Sequence, residues 1–159
     1  MEDMLSREKL STLLDQVTRE ITRREAGICL SPMEPAGAGP AGDVCTVYIT
    51  FERGMDGTLC LCASADMFAR IAREVMQTDD LTPQDVADVA KEYLNVLAGH
   101  VLIRLFPEAK QPARFSVPVF CREPYAPESE RRRVTLDYTG DEAERAQLAY
   151  YTPHGDEND

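Results

Sequence analysis

The sequence predicts an α+β fold, a largely antiparallel sheet with long helices packed on it. Two observations carry that reading. Strand segments come as neighbouring pairs, residues 44–51 with 58–63 and 133–138 with 146–152, each pair joined by turn residues. Apolar residues at i, i+3, i+4 and i+7 mark helices grouped before and between those pairs. A chain of 159 residues suits one hydrophobic core, so residues 1–159 are expected to form a single domain.

Leu10, Leu13, Leu14, Val17 and Ile21 hold helical spacing, with arginines and glutamates between them, and predict a helix over residues 6–24. A short apolar stretch at 28–30 precedes residues 35–42, whose alternating glycines and prolines support neither a helix nor a central strand and predict a mobile loop. Cys45, Val47, Ile49 and Phe51 then alternate with Thr46, Tyr48 and Thr50, the pattern of a strand with one apolar face. Glycines at 54 and 57 supply the positive-φ positions of a hairpin, and residues 58–63 return as an apolar strand. Ser64 stands where it can cap a helix whose Phe68, Ile71, Ala72, Val75 and Met76 share a stripe, ending near Gln77.

Thr82, Pro83 and Asp85 make a strong helix start: a hydroxyl cap, a proline whose missing N–H costs nothing at the first turn, and an acid near the positive end of the dipole. This helix runs to Phe106 and is halted by Pro107. Strands are expected at 113–121, 133–138 and 146–152, with a turn at Thr139, Gly140 and Asp141 and an acidic frayed tail over 154–159.

Composition narrows the function. Seventeen basic against 28 acidic residues give a net charge of −11, which repels a phosphate backbone, so no nucleic acid is expected as a partner. No apolar run reaches the ~18 residues of a membrane span, and Met1, Glu2, Asp3 and Met4 lack the basic-then-apolar layout of a signal peptide. No membrane contact and a cytoplasmic location are therefore expected. The five cysteines are odd in number and form no C-x-x-C pair. With two histidines in the chain no zinc spacing arises, and buried reduced thiols are the reading, Cys60 and Cys62 sharing one strand face. Asp79 with Asp80 and Asp141 with Glu142 read as a loop and a turn, so no metal site is expected, and the basic run Glu130 to Arg133 reads as a solvated face.

One stretch stands apart: Asp88-Val-Ala-Lys-Glu92-Tyr-Leu-Asn95-Val-Leu-Ala-Gly99. At about 100° per residue with Asp88 at zero, Glu92 falls near 40°, Asn95 near −20° and Gly99 near 20°, while Val86, Ala90, Tyr93, Leu97 and Val101 centre on about 180°. The four polar or small residues should face outward and the apolar set should bury. His100, at about 120°, reads as a packed flank residue. A solvated stripe is the plain reading, but Asn95 and Gly99 are poor helix formers, and an exposed glycine costs about 0.8–1 kcal/mol relative to alanine without adding packing. Close approach of another molecule would account for it.

The stretch resembles the site of the CheC/CheX/FliY family of chemotaxis phosphatases: an Asp or Ser, three residues, Glu, two residues, Asn on one helix. Asp88, Glu92 and Asn95 stand at those spacings, and the continuation through Gly99 is similar to the family's. The match is specific over about a dozen residues, and the single copy of the site looks most like CheX; the segment 64–77 has no asparagine to make a second. The resemblance implies a CheX/CheC-like fold and hydrolysis of the phosphoaspartate on a CheY-type response regulator. Glu92 would pair with a lysine of that partner, Asn95 would position the attacking water, and Asp88 and Gly99 would join Glu92 in partner binding. It implies no cofactor of the chain's own, Mg2+ being expected on the regulator, and a homodimer pairing through its sheet, to which the strand at 146–152 would add an unpaired edge. The alternative is a non-catalytic CheX-like domain that binds a response regulator or serves as an adaptor. A structural α+β dimer with an accidental polar helix is a third, blander reading.

Overall fold

The computed structural model describes residues 7–34, 40, 42–53, 57–107, 114–125 and 132–152. Most of the 35–42 loop, the hairpin tip at 54–56, Ser6, Ala113, residues 130 and 131 of the basic run and the tail at 154–159 lie outside the described residues.

Among the described residues, three helices and seven strands follow in the order α1 (Arg7–Ala26), β1 (Ser31–Pro32), β2 (Val44–Arg53), β3 (Gly57–Ser64), α2 (Ala65–Met76), α3 (Pro83–Leu105), β4 (Arg114–Phe115), β5 (Val119–Cys121), β6 (Arg133–Thr139) and β7 (Arg145–Tyr151). All strands pair antiparallel in the order β1-β6-β7-β3-β2-β4, with β5 also on β2. The α+β expectation holds. The pairing brings Ile49, Leu59, Tyr150 and Val134 into one row across the sheet and Val47, Leu61, Leu148 and Leu136 into the next. These rows meet Leu14, Val17 and Ile21 of α1, Met67, Phe68 and Ile71 of α2 and the inner side of α3 in one apolar core. Gly57 is required where β3 begins: its φ is +101°, and a Cβ there would lie 2.2 Å from the Tyr151 carbonyl oxygen.

Several expectations need correction. Helix α1 continues two residues past the expected end, stopping where Gly27 adopts φ +68° and its N–H bonds the Arg23 carbonyl. The two-residue strand β1 was not expected, since pairing with β6 alone makes it a strand. The strand expected over 113–121 is two pieces, β4 and β5, with Pro118, which has no N–H to give the ladder, between them. Ser64 occupies the N-cap position of α2 but makes no capping bond, and its Oγ is buried without a partner. Val75 and Met76 are exposed, because the last turn of α2 extends beyond the core it covers. β7 lies in the sheet interior between β3 and β6, so it offers no free edge.

Thr46, Thr58, Cys60, Ala149 and Tyr151 are buried on the sheet face opposite the helices. Tyr125 packs there against Tyr48 and Tyr151, with ring centroids 4.9 and 5.2 Å away. Burial pushes the Cys60 thiol well above its ordinary range and also raises Cys45, Cys62 and Cys121. Cys29, expected to be buried, is exposed.

Candidate functional site on helix α3

Helix α3 starts where the sequence says it should, and the bonds are reciprocal: Thr82 Oγ1 accepts from the Asp85 N–H, and Asp85 Oδ2 accepts from the Thr82 N–H, both at 3.0 Å. From that fixed start the helix runs with Ala90, Tyr93, Leu94, Leu97, Ala98, Val101 and Leu102 buried; Val86 is half-buried. Its rotation is locked from α1. The Tyr93 hydroxyl and Thr22 Oγ1 hydrogen-bond in the core, Arg104 Nη2 donates to Glu20 Oε1 at 2.7 Å, and Arg24 Nη2 meets His100 Nε2 at 3.1 Å. Burial pushes the Tyr93 phenol up to about 12, with the Thr22 bond opposing the shift. The Arg104 guanidinium holds the Glu20 carboxyl below its usual value. His100 is half-buried, as its flank position requires.

This lock turns the singled-out stripe outward. Asp88 and Glu92 are exposed, and Asn95 and Gly99 are half-buried. Gln84 Nε2 donates to Asp88 Oδ1 at 2.8 Å, one turn before the acid, so Asp88 is steadied by its own helix. Among the described residues Glu92 has no ion-pair partner and the Asn95 carboxamide no hydrogen-bond partner. A Cβ built on Gly99 meets nothing within 4 Å, so no packing within the chain explains the missing side chain. The stripe thus offers a fixed negative charge, a free carboxamide one turn on, and bare backbone one turn further. Such a set can attract a cation, hold a small polar molecule by an amide oxygen, and admit a second surface to the helix. Ile103, which the sequence reading passed over, belongs to the same side; its angle of about 60° was the available signal.

Among the described residues no group of three or more His, Cys, Asp or Glu side chains could hold a metal ion. No helix among them is long and apolar enough to cross a membrane. Arg73 faces Asp79 across 3.8 Å, and Asp141 is bonded to Arg70 at 2.7 Å, so these two acids sit in loop and turn contacts.

Solved structures share this fold. A CheX chemotaxis protein from Desulfovibrio desulfuricans superposes with a TM-score of 0.70 at 14% identity, over 89% of this chain and 97% of its own. CheX from Vibrio vulnificus gives 0.70 at 14% identity, over 93% and 99%. The Borrelia burgdorferi CheX–CheY–BeF3–Mg2+ complex gives 0.64 at 10% identity, over 88% and 95%. No curated protein sequence matches the chain. The family model for the chemotaxis phosphatase CheX matches residues 45–137, which include β2 from its second residue, β3, α2, α3 and the whole outward stripe. With more than half its length matched in this way, the chain belongs to the CheX family of chemotaxis phosphatases.

Proposed function

We propose that this chain hydrolyses the phosphoaspartate of a CheY-type response regulator, with Asn95 positioning the in-line water and Glu92 pairing with a lysine of the regulator. The observation that carries the reading is the open stripe of α3, where Glu92 and Asn95 lie one turn apart without a partner among the described residues. An acyl phosphate has a good leaving group and a loose transition state, so aligning a water in line with phosphorus supplies most of the rate and no strong base is needed. The Asn95 amide oxygen can accept from that water without adding negative charge beside the phosphoryl group, whereas a carboxylate there would repel it. Glu92, more exposed, acts in docking. Asp88 and the bare backbone at Gly99 complete the contact, and Mg2+ belongs to the regulator.

The Borrelia relative, solved as a complex with CheY, supports the choice of partner class. A cytoplasmic location follows from that partner. The homodimer is also part of the proposal, with the sheet edges at β1 and at β4 and β5 as the places for a second copy, since β7 is interior. Mixing the chain with a phosphorylated CheY-type regulator and following acyl-phosphate loss tests the reading; catalysed loss above the regulator's own rate is expected. Binding without faster loss would replace it with the non-catalytic adaptor.

A further inference from the structure

Six large apolar side chains are exposed among the described residues, and they fall in three places: Val75 and Met76 at the end of α2, Val117 and Val119 at the sheet edge, and Ile103 near the end of α3 with Phe106 at its C-cap. The last pair continues the functional stripe. Ile103 lies eleven residues beyond Glu92, about three turns, so the two share a side within about 20° and stand ~16 Å apart along the axis. Ile103 is 65% exposed and Phe106, the C-cap residue, 37%. Gly99, one turn before Ile103, leaves the helix surface between them open.

Charge along this side is divided. The N-terminal half carries Asp88 and Glu92, and beyond Glu92 the stripe holds Asn95, Gly99 and Ile103. Arg104, near that end, is turned toward α1 by Glu20. From Asp88 to Ile103 the side is ~22 Å long, the span that one face of a small domain covers in a standard interface. Ile103 stands in line with Glu92 and with the bare backbone at Gly99, and that order along one side fits a partner presenting a cation beside an apolar patch.

We propose that Ile103 and Phe106 form the apolar half of the regulator-docking surface, so that the same response regulator is held by charge at Glu92 and by burial at Ile103. This rests on the reading of α3 as the phosphatase site. The matching patch on the regulator is uncharged and lies on the side of its phosphoaspartate away from the lysine that Glu92 meets.

The test uses the full chain and a CheY-type regulator carrying beryllofluoride and Mg2+ as a stable acyl-phosphate mimic. Ile103→Asp is expected to weaken binding tenfold or more and to keep that defect at high salt, where the added charge is screened and the lost burial remains, while Ile103→Val restores most of it. Val117→Asp, at a still more exposed position between β4 and β5, should bind as wild type. Circular dichroism keeps a folding defect from being read as a docking defect. Wild-type affinity in Ile103→Asp, alongside an impaired Glu92→Lys, overturns the inference and spares the parent reading. If Asn95→Ala hydrolyses the acyl phosphate at the wild-type rate, the parent reading fails instead. A fall in the mass of Ile103→Asp by light scattering assigns the patch to a second copy of this chain and also overturns the inference.

Discussion

Two polar clusters lie on opposite terms with the fold. Around Arg70 of α2 one cation engages three acids: its guanidinium donates to Asp141 at 2.7 Å and Glu144 at 2.6 Å, and Glu142 stands 3.7 Å away. Glu144 is buried and takes a second bond from the Glu142 N–H at 3.0 Å. The bond to Asp141, ahead of that to Glu144, raises Arg70 above its usual value, and the same guanidinium lowers Asp141. On α3, Glu92 and Asn95 bond to nothing else among the described residues. Polar groups that fasten helix to sheet are used up by the chain itself; those left open on a rigid helix are free for another molecule.

That contrast can be broken from either side. The largest expected effect is at Asn95: Asn95→Ala should cut turnover on the regulator by on the order of 10²-fold, a loss of ~2.7 kcal/mol in the transition state, with Tm unchanged. Single-turnover loss of acyl phosphate reads the first number and calorimetry the second. Arg70→Ala should do the reverse, lowering stability by ~2 kcal/mol in urea titration, since it leaves the buried Glu144 unpaired, while the folded fraction keeps its activity. Glu92→Lys should weaken the complex about tenfold at low salt and less as salt rises, the mark of an exposed charge pair.

Gly99→Ala sharpens the comparison, because the helical backbone tolerates a methyl group that meets nothing in the chain. Stability should rise by about 0.5–1 kcal/mol while affinity for the regulator falls. The smallest effect is in acid. Arg70 holds the Asp141 carboxyl below its ordinary value of 3.8, so the stability it lends is present above that pH and is lost as pH falls through the lower folded value. Acid titration of the wild type should steepen below about pH 4, and Arg70→Ala should flatten that limb.

What was legible in the sequence was local. The start of α3 is written in Thr82, Pro83 and Asp85 because a capping box needs no distant partner, and the stripe from Asp88 to Gly99 follows from helix geometry once that start is known. The hairpin of β2 and β3 was legible for the same reason, alternation on both sides of a tight turn. What failed depended on contacts far along the chain. Arg70 meets acids more than 70 residues away, and β1 is a strand only through β6. Ser64 has the chemistry of a cap without its geometry, and the apolar stripe of α2 outruns its cover at Val75 and Met76. The place of β7 inside the sheet could not be read either, because strand order is a property of the whole fold.

The lock on α3 also sets which kinds of inherited change the site can survive. The helix is indexed at its start by Thr82, midway by Tyr93 against Thr22, and near its end by Arg104 against Glu20. A substitution on the outward stripe leaves all three indices alone. One residue inserted between Asp88 and Glu92 advances everything after it by about 100°, so either Tyr93 and Asn95 both leave their sides or, where the Tyr93 lock holds, Asp88 and the helix start fall out of phase with them. Insertion of seven residues, two turns within about 20°, would restore the phase but shift Asn95 ~10 Å along the axis from Asp88. The segment from 82 to 104 is therefore a ruler whose markings can be rewritten but whose length is fixed.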